Sequence, residues 1–408
     1  MICRHCGSAV DRVFVDLGSS PPSNAYVTEA TAGDPEPRLP LRVLVCESCW
    51  LVQTEDFVSA DRLFDRNYAY FSGFSSTWVE HCRWYRDQMV ARFDLGPDDH
   101  VVEVATNDGT LLQFFKESGI PCTGIEPTAS TAEAARARGI DVVEEFLTVK
   151  SASRFRSIRP AANLLAANNV LAHVPDIVGF ATGCRLLLAD DGVATFEFPH
   201  LVELVDNAQF DTVYHEHFSY LSLTAVEGVF RLAGMDLFDV EVLGTHGGSL
   251  RVFAQPRSTG VHASTGRLVE VRQSEERRGV ASSGFYEGFQ ERTDVIREVL
   301  VDFLGTAKAD GREVVGYGAA AKGNTLLNYS GIGPELLPIV ADRNPAKQGC
   351  LLPGSRIPVV GPDEIFRRRP SHVLILPWNL RDEVAEQLSA IREWGGTFVV
   401  AVPRLETW

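Results

Sequence analysis

Two groups of residues in this chain carry chemistry in their spacing. Cys3-x2-Cys6 and Cys46-x2-Cys49 set four thiols in two knuckles. Each knuckle brings two thiolates to one ion from a tight turn, and the second closes a four-sulfur shell with no open position for substrate, which describes structural zinc. His5 is not read as a ligand. The second group is FDTVYHEHFSYLS, Phe210 to Ser222, which packs Tyr214, His215, Glu216, His217 and Tyr220 into one short segment. A carboxylate beside a histidine, flanked by a phenol, supplies a base, a charge-balancing partner and a hydrogen-bond donor together. One of His215 and His217 is then structural. A His215/His217 metal pair lacks a third ligand, and neither HExxH nor Gly-x-Ser-x-Gly occurs. His173, Tyr68 and Tyr70 are further polar side chains expected near the same strand ends.

A third feature is the run VVEVATNDGTLL, which reads as a strand, a turn and a helix start. A dinucleotide fold would place G-x-G-x-x-G here, with amide donors facing a pyrophosphate. Ala105 stands at the first small position instead, and Asp108 in the turn repels phosphate. S-adenosylmethionine carries an ammonium and a sulfonium and no phosphate, so Glu103, Asn107, Asp108 and Gly109 suit it. Glu126 ends the next strand, where a carboxylate accepts from ribose hydroxyls; Phe146 is placed to cover the adenine, and Asn168 and Asn169 close the fourth strand.

The elements that must hold these groups follow from pattern. At 408 residues the chain is too long for one compact core. Residues 1–70 form a metal-stapled module. From His100 apolar strands alternate with helical segments, the pattern of a parallel sheet covered by helices: strands at Val101–Ala105, Thr123–Glu126, Leu164–Ala167 and Val193–Phe198, then Val240–Leu243 and Leu250–Ala254 around a Gly-rich turn carrying His246 and Arg251. Residues 71–265 make up this unit. Residues 266–408 begin with a long helix from Leu268 to Ala309, broken near Gly279 or Gly284, and continue into a second strand-and-helix domain. Its loop GYGAAAKGN, with Gly318, Lys322 and Asn324, follows a strand and opens a helix; read alone it suggests NAD(P). The fold class is thus α/β, a zinc-binding module followed by two Rossmann-like domains. The net charge of −16 argues against a nucleic-acid partner. No apolar run is long enough to span a bilayer and no signal peptide is read, so a cytoplasmic, reducing location is expected. Nothing sets the oligomeric state.

The chain resembles the bacterial sugar C-methyltransferases of antibiotic deoxysugar biosynthesis. The resemblance runs through the CxxC pairs, DLGSSPPSNAY, VEVATNDGTLL, NNVLAHVPD, FDTVYHEHFSYLS, THGGSLRVF and GYGAAAKGNTLLNYSGI. It implies that the central Rossmann-like domain is a class I methyltransferase domain and that the substrate is a thymidine-diphosphate-linked 4-keto-6-deoxysugar, with C3 the first choice for the methyl. Carried over, it makes His217 the general base with Glu216 and Tyr214 beside it, and His173 and Tyr68 further active-site groups. It assigns no role to His215. Tyr70, His246, Arg251, Gly318, Lys322 and Asn324 are expected on the sugar-nucleotide side. A bifunctional enzyme that also reduces the ketone with NADPH is the alternative.

Overall fold

The computed structural model describes residues 1–58, 63 and 71–408. Tyr68 and Tyr70 lie outside the described residues. In chain order, β1 (Arg12–Ser20), β2 (Leu39–Val45) and β3 (Val52–Thr54) form an antiparallel sheet behind the cysteine knuckles, and β9 (Ser219–Tyr220) adds its fourth strand. The N-terminal module is therefore completed by the residues that follow His217. A two-residue strand such as β9 has no period of its own, so sequence pattern does not show it.

The central sheet has seven strands. They are β4 (Val101–Val104), β5 (Cys122–Ile125), β6 (Asp141–Val143), β7 (Ala162–Asn168), β8 (Leu188–Pro199), β10 (Met235–Leu243) and β11 (Ser249–Pro256), in the spatial order β10-β11-β8-β7-β4-β5-β6. The first five run parallel and β11 is antiparallel to both its neighbours. This is the class I methyltransferase arrangement. Its order reverses at β4, so the loops after β4 and β7 open at the switch point where a ligand binds. Continuous burial of β4 and most of β7 matches helices on both faces.

The long helix expected from Leu268 to Ala309 is two: Gly266–Arg278 ends at Gly279, whose φ of 74° caps it in the left-handed region, and Phe289–Ala309 follows. The last sheet, ordered β14-β13-β12-β15-β16-β17, contains β12 (Val314–Tyr317), β13 (Val340–Ala341), β14 (Val359–Val360), β15 (His372–Ile375), β16 (Thr397–Val400) and the antiparallel β17 (Glu406–Thr407). One apolar cluster joins the three regions: Phe14 and Val43 from the first sheet, Phe210 and Val213 from the central segment, Phe289, Leu326 and Leu374 from the last. Among the described residues, no helix is long and apolar enough to cross a membrane.

Candidate active site

The sulfurs of Cys3, Cys6, Cys46 and Cys49 lie within 4.8 Å of one another, with Cys3–Cys49 and Cys6–Cys46 both at 3.5 Å. A tetrahedral ZnS4 unit with Zn–S near 2.3 Å has sulfur–sulfur edges of about 3.8 Å, so the group fits zinc. Left-handed residues close each knuckle, Gly7 at φ 74° and Trp50 at φ 63°. Among the described residues these cysteines are the sole cluster arranged to hold a metal. The outward ties matter as much. Gln53 donates to Cys3 Sγ at 3.3 Å, and Thr54 and Arg4 grip the next segment: Thr54 Oγ1 donates to the His217 carbonyl at 2.6 Å and Arg4 Nη1 to the Phe218 carbonyl at 3.0 Å.

The turn after β4 is wound by Ala105, Asn107 and Gly109, at φ 58°, 52° and 77°. Two of these are not glycine, a conformation that costs on the order of 1 kcal/mol or more each and gathers at functional sites. Neighbours compensate: the Asn107 amide donates to Glu126 Oε2 and the Thr128 amide to Oε1, both at 2.9 Å. Glu103 is buried and accepts from Thr106 Oγ1 at 2.6 Å; burial pushes its pKa well above the usual carboxylate range, and that of Glu126 upward. Asp108 shapes the turn from beneath, taking the Gly73 amide, Thr110 Oγ1 and Arg138. Gly124 is required where it stands, since a Cβ there would meet Thr106 Cγ2 at 2.4 Å. Phe146 is 42% exposed after β6, a ring open to a planar ligand. Across the crevice, Asn168 Oδ1 and Asn169 Oδ1 are buried with no hydrogen-bond partner among the described residues. A crevice with the Glu126 carboxylate at one rim, the Phe146 ring open and the Asn168 and Asn169 oxygens unpartnered fits S-adenosylmethionine.

The base candidates meet at the junction of the three regions. His217 directs Nδ1 at the Thr212 carbonyl, 2.8 Å away, so that nitrogen holds the proton and Nε2 is the acceptor. Its ring lies 4.0 Å from Tyr214 and 4.6 Å from His173. Burial, aided by the charges of His173 and Lys322, holds its pKa well below the ordinary histidine range. His173 bonds the Glu216 carbonyl at 2.8 Å, and burial lowers it to about 4. Glu216 Oε1 accepts the backbone and side-chain N–H of Asn24, both at 3.1 Å, while burial raises its pKa. His215 faces the Pro40 carbonyl at 3.2 Å, away from His217, so these two form no metal pair. Asn24, on the N-terminal Pro-rich loop, is a site neighbour that sequence reasoning missed; DLGSSPPSNAY marked the segment without showing its target.

His246 joins the same cleft, its Nε2 within 3.2 Å of Asn169 Nδ2, with burial lowering it to about 4. Arg251, expected on the cleft wall, is fully buried beneath it, bonded to Glu197 at 2.9 Å and Glu241 at 3.1 Å. Burial works to raise Glu197, but His81 and Arg251 overcome it and hold its pKa at about 2. The turn after β12 departs further from expectation. The Gly318 amide donates to Ala341 O, that of Ala319 to Asp342 Oδ2 and that of Ala320 to Gly318 O, while Tyr26 and Lys347 occupy the Ala319 carbonyl. Those three amides are consumed within the protein, and the NADPH expectation finds no support. Asn324 donates to Ser23 O at 2.6 Å and so fastens the Pro-rich loop. Lys322 turns inward, donating to Asn379 Oδ1 at 2.6 Å.

Comparison with known proteins agrees with this anatomy. Residues 3–64 match a family model for a zinc binding domain, 80–240 one for a methyltransferase domain, and 244–403 one described as C-methyltransferase C-terminal domain. The chain is 34% identical over 401 residues to the C-methyltransferase NovU of Streptomyces niveus, covering 98% of this chain and 95% of that one. Among solved structures, magnesium protoporphyrin IX methyltransferase (ChlM) of Synechocystis with bound S-adenosylhomocysteine is 12% identical with a TM-score of 0.35, covering 44% of this chain and 82% of that one. A Thermotoga maritima S-adenosylmethionine-dependent methyltransferase gives 16% and 0.36, covering 46% and 97%. Family models along the chain and a relative matched over nearly its whole length lead to one conclusion: the chain belongs to the C-methyltransferase family that joins a zinc-binding domain, a class I methyltransferase domain and a C-methyltransferase C-terminal domain.

Proposed function

We propose that this protein methylates a ring carbon of a thymidine-diphosphate-linked 4-keto-6-deoxysugar, at C3 in the first instance, through an enolate made by His217. The observation that carries the reading is the wiring of His217: Nδ1 is committed to Thr212 O, which leaves Nε2 as acceptor in a buried cleft that disfavours the imidazolium. A carbon must become nucleophilic to accept a methyl group, and a C–H beside a ketone loses its proton when the oxygen charge is stabilised. Glu126 and the Ala105–Gly109 turn hold S-adenosylmethionine, which supplies an electrophilic methyl group when bound. Tyr214 and His173 flank the base, and Asn24 fixes Glu216 behind it. Holding both reactants at near-attack distance provides much of the acceleration.

Incubation with S-adenosylmethionine and a panel of thymidine-diphosphate 4-keto-6-deoxysugars tests this. The expected product is one methyl group heavier, with a new carbon–carbon bond by NMR. An O-methyl or N-methyl product, or none from any 4-keto sugar, would contradict it.

A further inference from the structure

Asp211, Lys322, Trp378 and Asn379 form a polar group to which neither the cofactor crevice nor the base assignment gives a task. Lys322 sits in the first turn of the helix Ala321–Tyr329, and that helix is pinned to the catalytic segment by Thr325 Oγ1, which donates to the Val213 carbonyl at 2.7 Å. From there the Lys322 ammonium bonds Asn379 and stands 4.6 Å over the Trp378 ring. Trp378 donates Nε1 to Asp211 Oδ2 at 2.7 Å and crowds the turn bearing His246, where a Cβ on Gly247 would meet it at 2.3 Å. Asp211 precedes Thr212, the residue whose carbonyl holds His217. The lysine nitrogen is thus inside the cleft, and its charge is felt at both His217 and His246.

The Gly318–Ala320 amides are consumed within the protein, and the ammonium itself is directed to Asn379 and the Trp378 ring. An ammonium has three donors, of which Asn379 takes one. A cation aimed into a dry site is worth most where negative charge develops during reaction.

We propose that Lys322 is a catalytic residue of proton removal, its ammonium donating to the ketone oxygen as that oxygen becomes an enolate. This rests on the reading of the cleft as a 4-keto-sugar site. In the step, the C–H bond beside the ketone breaks, the proton passes to His217 Nε2, and the electron pair shifts so that the charge rests on oxygen, opposite Lys322. The same cation opposes protonation of His217 and keeps the base neutral. The other titratable groups facing His217 are His173, Tyr214, Tyr220 and His246, while Asp211 is the charge opposing that of Lys322.

The test is solvent deuterium exchange at the carbon next to the ketone of a thymidine-diphosphate 4-keto-6-deoxyhexose, followed by NMR with S-adenosylhomocysteine in place of the methyl donor. Lys322→Met should slow exchange at saturating sugar by about 10²- to 10³-fold. It should also move the acid limb of the pH profile upward, because His217 loses a repelling cation. Thymidine diphosphate affinity should stay unchanged, and Lys322→Arg should recover part of the rate. Thermal melting checks the fold, and Lys322→Gln replaces the Met variant if that one does not fold. Near wild-type exchange in the folded variant would overturn the proposal, as would a salt-sensitive loss of thymidine diphosphate affinity with unchanged exchange at saturation. A wild-type enzyme that exchanges no proton would instead overturn the 4-keto-sugar reading itself.

Discussion

Single residues divide the work by environment rather than by type. Glu103 lies in β4 and Glu126 just after the adjacent β5, yet Glu103 is bonded to Thr106 while Glu126 is held by two amides. We expect Glu126→Ala to weaken S-adenosylhomocysteine roughly 10- to 100-fold by calorimetry, the loss of hydrogen bonds to a charged group; unchanged affinity would reject its ribose role. His217 predicts a pH dependence of known sign. The base acts when neutral and burial disfavours its cation, so the acid limb of the methylation rate should lie below the ordinary histidine pKa of about 6.5. A limb at or above that value would point to another base. Residue types and spacing announced these groups, since few apolar cores need Tyr, His, Glu and His within four positions. They did not announce partners such as Asn24 or the inward turn of Lys322, because contacts 192 and 57 positions apart leave no local pattern.

At the scale of elements, periodicity revealed the central sheet because its strands are apolar runs separated by amphipathic helices, and Gly279 marked the helix break. It was silent on β9, β14 and β17, whose two residues each are paired by their neighbours rather than by their own pattern. Arg251 shows the cost of reading a strand residue by type. On β11 its side chain is 0% exposed and bound to Glu197, also 0% exposed. Arg251→Met strands a buried carboxylate, and removing one partner of such a pair costs about 3–5 kcal/mol. Denaturant unfolding should show that loss, with sugar-nucleotide affinity retained in the folded fraction; a small change in stability would mean the pair is not buried as described.

In the whole molecule the segment around His217 is gripped by both the zinc module and the last domain. β9 completes the zinc module's sheet, Thr54 and Arg4 hold the carbonyls of His217 and Phe218, and Thr325 holds Val213. Metal removal by a chelator, or Cys46→Ser, should therefore raise hydrogen exchange in residues 212–220 as well as around the knuckles. Loss of protection confined to residues 1–58 would show that the module is only appended. If His217 generates the enolate, His217→Asn, which keeps size and polarity while removing basicity, abolishes that step. Deuterium exchange beside the ketone of a thymidine-diphosphate 4-keto-6-deoxysugar, measured by NMR without methyl transfer, isolates that step. Exchange and methylation should both collapse in His217→Asn while both ligands still bind; exchange and methylation at the wild-type rate would show that His217 is not the base.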